Sequence, residues 1–323
     1  TVIVLFSGMD IIGEMLRAAA TGSGLSHHLE NWSGTQFSSH ITQAFWVPQH
    51  ALAGWFGALL FLLWRERRIS LGQMYVMLPM LMLLSPLGVM GTLPFAAAAG
   101  IVTLVERRLR LSDFLLPAIP TLLCIPAILY LGAGAESVGI RLVYPDATKY
   151  WLFEILEVLL LIAGAAVIHR SNGREMTTLV LVACCLMIAP LVQIGEGIDF
   201  TMRASITALA VLSFQVSTAV SGASGAKRSL AHHWLLGALA IGSITGTFEL
   251  VRALRLQPSP RVHCSLAEAQ YHVVGLPRFS SNSTYFAPVE TLPDAIRPKA
   301  PALVRAHSGA PCWERPWMVP RFG

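Results

Sequence analysis

An all-α, polytopic membrane bundle of about eight complete spans is the fold this sequence predicts, and three observations predict it. Hydrophobic residues make up 54% of the 323 residues and charged residues only 13%, about half the ~25% charge of a soluble domain. Apolar runs of about 18 residues recur along the chain, as membrane helices require. Basic residues gather in short clusters after alternate runs, which is the signature of a fixed topology.

The elements follow in order. Thr1-Val2-Ile3-Val4-Leu5-Phe6 reads as the end of a membrane helix already in progress, so the N-terminus is expected to be a truncation. Eight complete apolar spans are then expected at about 45–64, 72–85, 87–105, 113–132, 151–168, 176–194, 204–221 and 233–252. Ser85-Pro86-Leu87-Gly88 interrupts the second and third. Proline lacks a backbone donor and glycine loosens the chain, so this stretch should break the helix. The piece before the break is short for a crossing at ~1.5 Å per residue. A re-entrant pair or two short tilted helices fits it best.

The charges orient the bundle. Arg65-Glu66-Arg67-Arg68, Glu106-Arg107-Arg108-Leu109-Arg110, His169-Arg170 with Arg174, and Lys227-Arg228 all follow alternate spans. With eight spans they share one side, which the positive-inside rule makes cytoplasmic. The formal net charge of +5 is thereby accounted for, and no nucleic-acid partner is expected. The other face collects the loops 7–44, 133–150 and 195–203. Residues 1–252 form the membrane domain. Residues 253–323, rich in Pro, Ser and Arg, form an irregular extracytoplasmic tail that carries Tyr271, Tyr285, Trp313 and Trp317.

Of the five cysteines, Cys124, Cys184 and Cys185 fall inside spans and read as small core residues. Cys264 and Cys312 fall in the outer tail, where an oxidising compartment would let them pair. No Cys/His spacing matches a zinc site, and no metal ligands are assigned. Neither a P-loop, a dinucleotide fingerprint nor an HExxH motif occurs.

Four constellations could carry chemistry. Asp10 and Glu14, after Phe6-Ser7-Gly8-Met9, stand four residues apart and so on one helix face. They read either as a general base or cation ligand, or as a solvated helix start that favours acids. Phe45-Trp46-Val47-Pro48-Gln49-His50 leads polar and aromatic groups into a span. Trp46 is an interfacial anchor, while His50 lines a pocket or bonds a neighbouring helix. Glu154 and Glu157 enter the 151–168 span on one face, where carboxylates must be paired, protonated or wet. Asp199 and Arg203 have i, i+4 spacing, which suits an ion pair. Alternatively, Arg203 faces a phosphate that its planar fork recognises.

The runs Phe6-Ser7-Gly8-Met9-Asp10, Trp46-Val47-Pro48-Gln49-His50 and Asp199-Phe200-Thr201-Met202-Arg203 together resemble bacterial multi-spanning proteins of the GT-C glycosyltransferase superfamily. The resemblance covers 1–252. It implies an inner-membrane enzyme that takes a sugar from a polyprenyl-phosphate carrier and transfers it to an acceptor at the outer face. It places the catalytic base at Asp10 and puts Glu14, His50, Glu157, Asp199 and Arg203 around the substrates. The phosphate would sit near Arg203, Arg141 or Lys149. No cofactor is required, and a divalent cation is an option. The stricter members carry a tandem acidic motif, whereas here Asp10 stands alone with Glu14 four residues on. Two other classes stay open from the residues themselves. One is a transporter or flippase whose path Glu157, His50 and Gln193 would line. The other is a non-catalytic membrane scaffold.

Overall fold

The computed structural model describes residues 2–133, 135–195, 197–222, 229–257, 261, 263, 289–297 and 312–313. It is mostly helical. After a turn at residues 2–5 and an extended stretch come α1 (Asp10–Thr21), a 3-10 turn at Leu29–Asn31, α2 (His40–Trp46) and α3 (Pro48–Arg65). Next are α4 (Leu71–Val76), α5 (Leu78–Leu84), α6 (Pro86–Val105), α7 (Ser112–Leu131) and the short α8 (Ala135–Val138). The remaining helices are α9 (Ala147–Glu154), α10 (Leu160–His169), α11 (Gly173–Ile188), α12 (Asp199–Ser221) and α13 (Leu230–Arg255). A π-helical turn, Ile155–Leu159, joins α9 to α10 into one rod. Two three-residue strands, β1 (Ile140–Leu142) and β2 (Val192–Ile194), pair antiparallel, with Arg141 opposite Gln193.

Six of the described helices are long and apolar enough to cross a membrane: Pro86–Val105, Ser112–Leu131, Ala147–His169, Gly173–Leu191, Asp199–Ser221 and Leu230–Arg255. They match six of the eight expected spans and make the chain an integral membrane protein. The other two differ for physical reasons. α3 opens with the polar turn Pro48-Gln49-His50, which lowers its mean hydropathy. The 72–85 stretch is helical as the run Leu71–Leu84, which is too short to qualify and breaks at Met77, ahead of Pro79. Local caps set these boundaries. Ser70 and Gln73 form a capping box, Ser85 accepts from the Gly88 N–H, and Asp146 accepts from the Lys149 N–H.

The break has a definite path. At the start of α4, the Gly72 N–H donates to Asp113 Oδ1 at 2.8 Å, beside the first turn of α7. Just past the end of α5, Ser85 Oγ bonds His50 Nδ1 at 2.7 Å, in the first turn of α3. α4 and α5 therefore run in series from one end of the bundle to the other, and the re-entrant alternative does not form.

One end carries the basic clusters. Arg65 pairs with Glu175 at 2.9 Å and with Glu66 at 3.2 Å, and Arg67 pairs with Glu106 at 3.7 Å. Three of the four predicted clusters thus meet across α3, α6 and α11. Lys227-Arg228 lies outside the described residues, as do Tyr271, Tyr285, Trp317 and Cys264. Cys312 is disulfide-bonded, and its predicted partner is that Cys264.

α12 is the axis of the bundle. Two-thirds of its apolar window (67%) is buried, against 0% for α7. It packs on α3, α6, α10 and α11. Small residues allow the close approach. A Cβ on Gly91 of α6 would collide with the Ala204 carbonyl of α12, and one on Gly54 of α3 would collide with Ile206. Thr92 and Thr207 hydroxyls bond across the same seam at 2.8 Å.

Candidate functional site

The buried acids concentrate at the end away from the basic clusters. Their placement starts with the extended stretch Phe6-Ser7-Gly8-Met9. This stretch threads between α13 and the π-helical turn, in a slot that only glycines leave open. A Cβ on Gly8 would stand 2.7 Å from Glu157 Cα, and one on Gly242 would stand 2.5 Å from the Ser7 carbonyl. Within the wide π turn, the Leu156 carbonyl accepts the Met9 N–H at 3.1 Å. Wide turns of this kind often mark functional sites. Asp10 then begins α1, directly over Glu157.

Asp10 and Glu157 are fully buried, and their carboxyls are close enough to hydrogen-bond each other. Ser7 Oγ donates to Asp10 Oδ2 at 2.7 Å, and the Trp32 indole N–H donates to Glu157 Oε1 at 2.9 Å. Among the described residues, Asp10 Oδ1, Glu157 Oε2 and the nearby Thr245 hydroxyl make no hydrogen bond beyond those they can share with one another. No cation pairs with either carboxyl in that set. Burial raises the Asp10 carboxyl above the usual carboxylate range, against the opposing hydrogen bonds from Ser7, Glu157 and Thr245.

A second layer covers this pair. Glu30 is fully buried. It accepts from the Ser39 N–H at 2.9 Å, from Thr42 Oγ1 at 2.7 Å and from Gln36 Nε2 at 2.7 Å. Burial and then the negative charge of Asp10 raise its carboxyl to about 7. His28 lies between Glu249 Oε1 and Gln36 Oε1, each 3.3 Å from a ring nitrogen. Burial pushes its ring down, but the hydrogen bond from Glu249 and the charges of Glu30 and Glu249 outweigh this and raise it. Burial lowers His40 to about 4; its Nδ1 faces the Ile3 carbonyl at 2.6 Å.

The other predicted residues go elsewhere. Glu14 shares the buried face of α1 with Asp10, yet it turns to Arg17, whose guanidinium donates to it twice at 2.6 and 2.7 Å. The Ser26 N–H also donates to it. These contacts hold the Glu14 carboxyl below its usual range, the Arg17 hydrogen bonds first. His50 is taken by Ser85. Asp199 and Arg203 form the ion pair that their spacing suggested, at 3.2 Å. Glu154 is buried with neither oxygen partnered among the described residues. Arg141 lies exposed on β1. Glu196 is outside the described residues. Among those described, no group of three or more His, Cys, Asp and Glu side chains is placed to hold a metal ion.

Sequence reasoning missed Glu30, Trp32, His28 and Thr245. The first three lie in a polar loop, where an acid or a His ordinarily meets water. Only the folding of that loop onto α13 and the π turn buries them, and no periodicity announces it.

Beside the carboxyl pair is a cavity of about 420 Å3, lined by Ser33-Gly34-Thr35, the first turn of α9 and the segment around β2. Trp32 links the two. Its neighbour Ser33 lines the cavity while its own indole holds Glu157, and Phe153, one turn beyond Tyr150, packs on its ring at 6.1 Å between centroids. Comparison with protein-family models, with curated proteins and with solved structures finds no match to this chain.

Proposed function

We propose that the chain is a membrane glycosyltransferase that moves a sugar from a polyprenyl-phosphate carrier to an acceptor at the outer face. The observation that carries the reading is the Asp10 carboxyl. It is buried, raised by that burial, lacks a cationic partner among the described residues and is held by hydrogen bonds from Ser7, Glu157 and Thr245. A general base needs an affinity for protons near the working pH. The end of the bundle that holds it is opposite the basic clusters, and thus extracytoplasmic by the positive-inside rule.

In this reading Asp10 takes the proton of the acceptor hydroxyl as that oxygen attacks the anomeric carbon. The bond from that carbon to the phosphate oxygen breaks, and the polyprenyl phosphate leaves with the electron pair. Glu157 holds its own proton from the start, since two adjacent buried carboxyls do not both ionise readily, and the acceptor's proton stays on Asp10. Arg203, beside His50 and paired with Asp199, is the cation that would stabilise the leaving phosphate. The acceptor reaches Asp10 only after Trp32 swings from Glu157.

The test is transfer by the full chain in proteoliposomes, using a synthetic polyprenyl-phosphate sugar. Asp10→Asn is expected to lower the rate by ~100-fold or more, the scale of general-base loss, while polyprenyl-phosphate binding persists. Arg203→Ala is expected to weaken that binding. Full activity in Asp10→Asn sinks the assignment.

A proton-coupled transporter is the second reading, and Glu154 favours it. A buried carboxyl with neither oxygen bonded, one turn from Glu157, is the kind of group that proton relays use. Proton-driven uptake into vesicles that is lost in Glu154→Gln, with no transfer activity in either protein, would establish it.

A further inference from the structure

We propose that the cavity beside Trp32 is a binding site for a neutral saccharide of one or two units, the acceptor of the reaction; this rests on the transferase reading above. Its volume of about 420 Å3 lies within the ~300–1,000 Å3 range of small-molecule sites. The composition of the wall decides the chemistry. Among the described residues that line it, Lys149 is the one cation and Asp146 the one anion. They stand one turn apart on α9. An anionic ligand drawn to Lys149 would meet the Asp146 carboxylate at once. A ligand rich in hydroxyls uses both, as donor to one and acceptor from the other.

The free polar groups are of that mixed kind. Asp146 Oδ1 already accepts the Lys149 N–H, which leaves Oδ2 for a ligand. Gln193 Nε2 is bonded to the Gly195 carbonyl at 3.1 Å, which leaves Oε1. The Lys149 ammonium forms no ion pair with any described residue. By contrast the hydroxyls of Tyr150 and Thr201 are spent on the carbonyls of Met187 and Ala189, at 2.8 and 3.1 Å. They fix the wall rather than bind. Gly34 and Gly197, at φ 84° and 68°, let bare backbone border the space. A donor, acceptors and an exposed peptide edge around a partly apolar hollow suit a sugar ring, with hydroxyls at its rim and C–H on its faces.

The position fits the role. A saccharide here would press on Ser33 and Thr35, the residues that follow and steady Trp32. Movement of that segment would lift the indole from Glu157 and open the way to Asp10. Binding would thus couple acceptor arrival to exposure of the base.

The experiment is saturation-transfer NMR on the full chain in detergent, with methyl glycosides of glucose, galactose, mannose and N-acetylglucosamine, and with inorganic pyrophosphate as the anionic probe. At least one glycoside is expected to bind saturably. Lys149→Met and Gln193→Ala are each expected to weaken it about tenfold, roughly one net hydrogen bond. Both residues lie at the surface of the hollow, and thermal unfolding of each variant checks that the fold is intact. Binding of no glycoside, or binding indifferent to both substitutions, overturns the proposal. So does pyrophosphate binding that Lys149→Met abolishes while glycosides fail to bind. Glycoside binding without transfer by the wild type would overturn the transferase reading and leave this site standing. Transfer without glycoside binding would do the reverse.

Discussion

At the scale of the residue, hydrogen-bond direction says more than charge count. Gln36 spends its Nε2 on Glu30 and Ser38, at 2.7 and 2.8 Å, so its Oε1 must face His28. On the other side of the ring Glu249 presents a carboxylate already engaged by Arg252 and Trp46. Both ring nitrogens of His28 meet acceptors, and only the imidazolium satisfies both. Its folded pKa is raised, so the contribution is complete below about 6.5, the unfolded value, and is lost as pH rises through the folded one. The groups that set the balance are Glu249 and Arg252 on α13 and Glu30 beneath. Melting of the wild type and His28→Gln, followed from pH 5 to 9, is expected to show an advantage of about 1–2 kcal/mol for the wild type at low pH, shrinking as pH rises. Parallel curves would refute the imidazolium. Asp10 shifts stability in the same direction for the opposite reason, because burial disfavours its charged form. A carboxyl raised by burial is favourable below its unfolded value of ~3.9 and costs stability as pH rises through the folded one. Asp10→Asn is therefore expected to melt higher than the wild type at pH 7, even as transfer fails. A lower melting point would mean that the charge is compensated. The sequence named Asp10 and Glu157 singly, but it could not pair them, because the long stretch between them carries no spacing rule.

At the scale of the element, the slot for residues 6–9 is the decisive construction. Glycine at 8 and 242 lets an extended segment lie on a helix backbone, and the π turn presents the Leu156 carbonyl to it. Gly8→Ala forces a Cβ against Glu157. It is expected to cost about 1–3 kcal/mol, as other overpacked sites do, and to lower transfer more than its melting shift explains, because Asp10 moves with the segment. Unaltered melting and transfer would show that the slot has slack. Helix positions were legible because period and apolarity are local properties. Ser85-Pro86 announced a boundary for the same reason. The π turn was not legible: Ile155-Leu156-Glu157-Val158-Leu159 reads as ordinary helix, and its extra width answers a distant segment. The break at Met77 is milder, since Pro79 two residues later is visible in the sequence but sits inside an unbroken apolar run.

At the scale of the whole molecule, the basic end and the acid-bearing end divide the polar chemistry of the bundle. Three of the four basic clusters meet at one end of the bundle, because their grouping follows local charge; the site escaped because burial is a property of the folded whole. A membrane-impermeant maleimide tests the orientation. On intact cells, Gly34→Cys is expected to be labelled from outside and Arg107→Cys only after the membrane is opened; the reverse pattern inverts the molecule and removes the outer-face reading. One consequence concerns the surrounding lipid. The run Leu71–Leu84 extends about 21 Å at ~1.5 Å per residue, well short of a hydrocarbon layer of ~30 Å. Met80, Leu83 and Leu84 nevertheless face outward from it. Lipid beside α4 and α5 must shorten its tails' span to match, so the bilayer carries a dimple there. That dimple lowers the head groups beside Ser85 and His50, bringing the membrane surface closer to the first turn of α3.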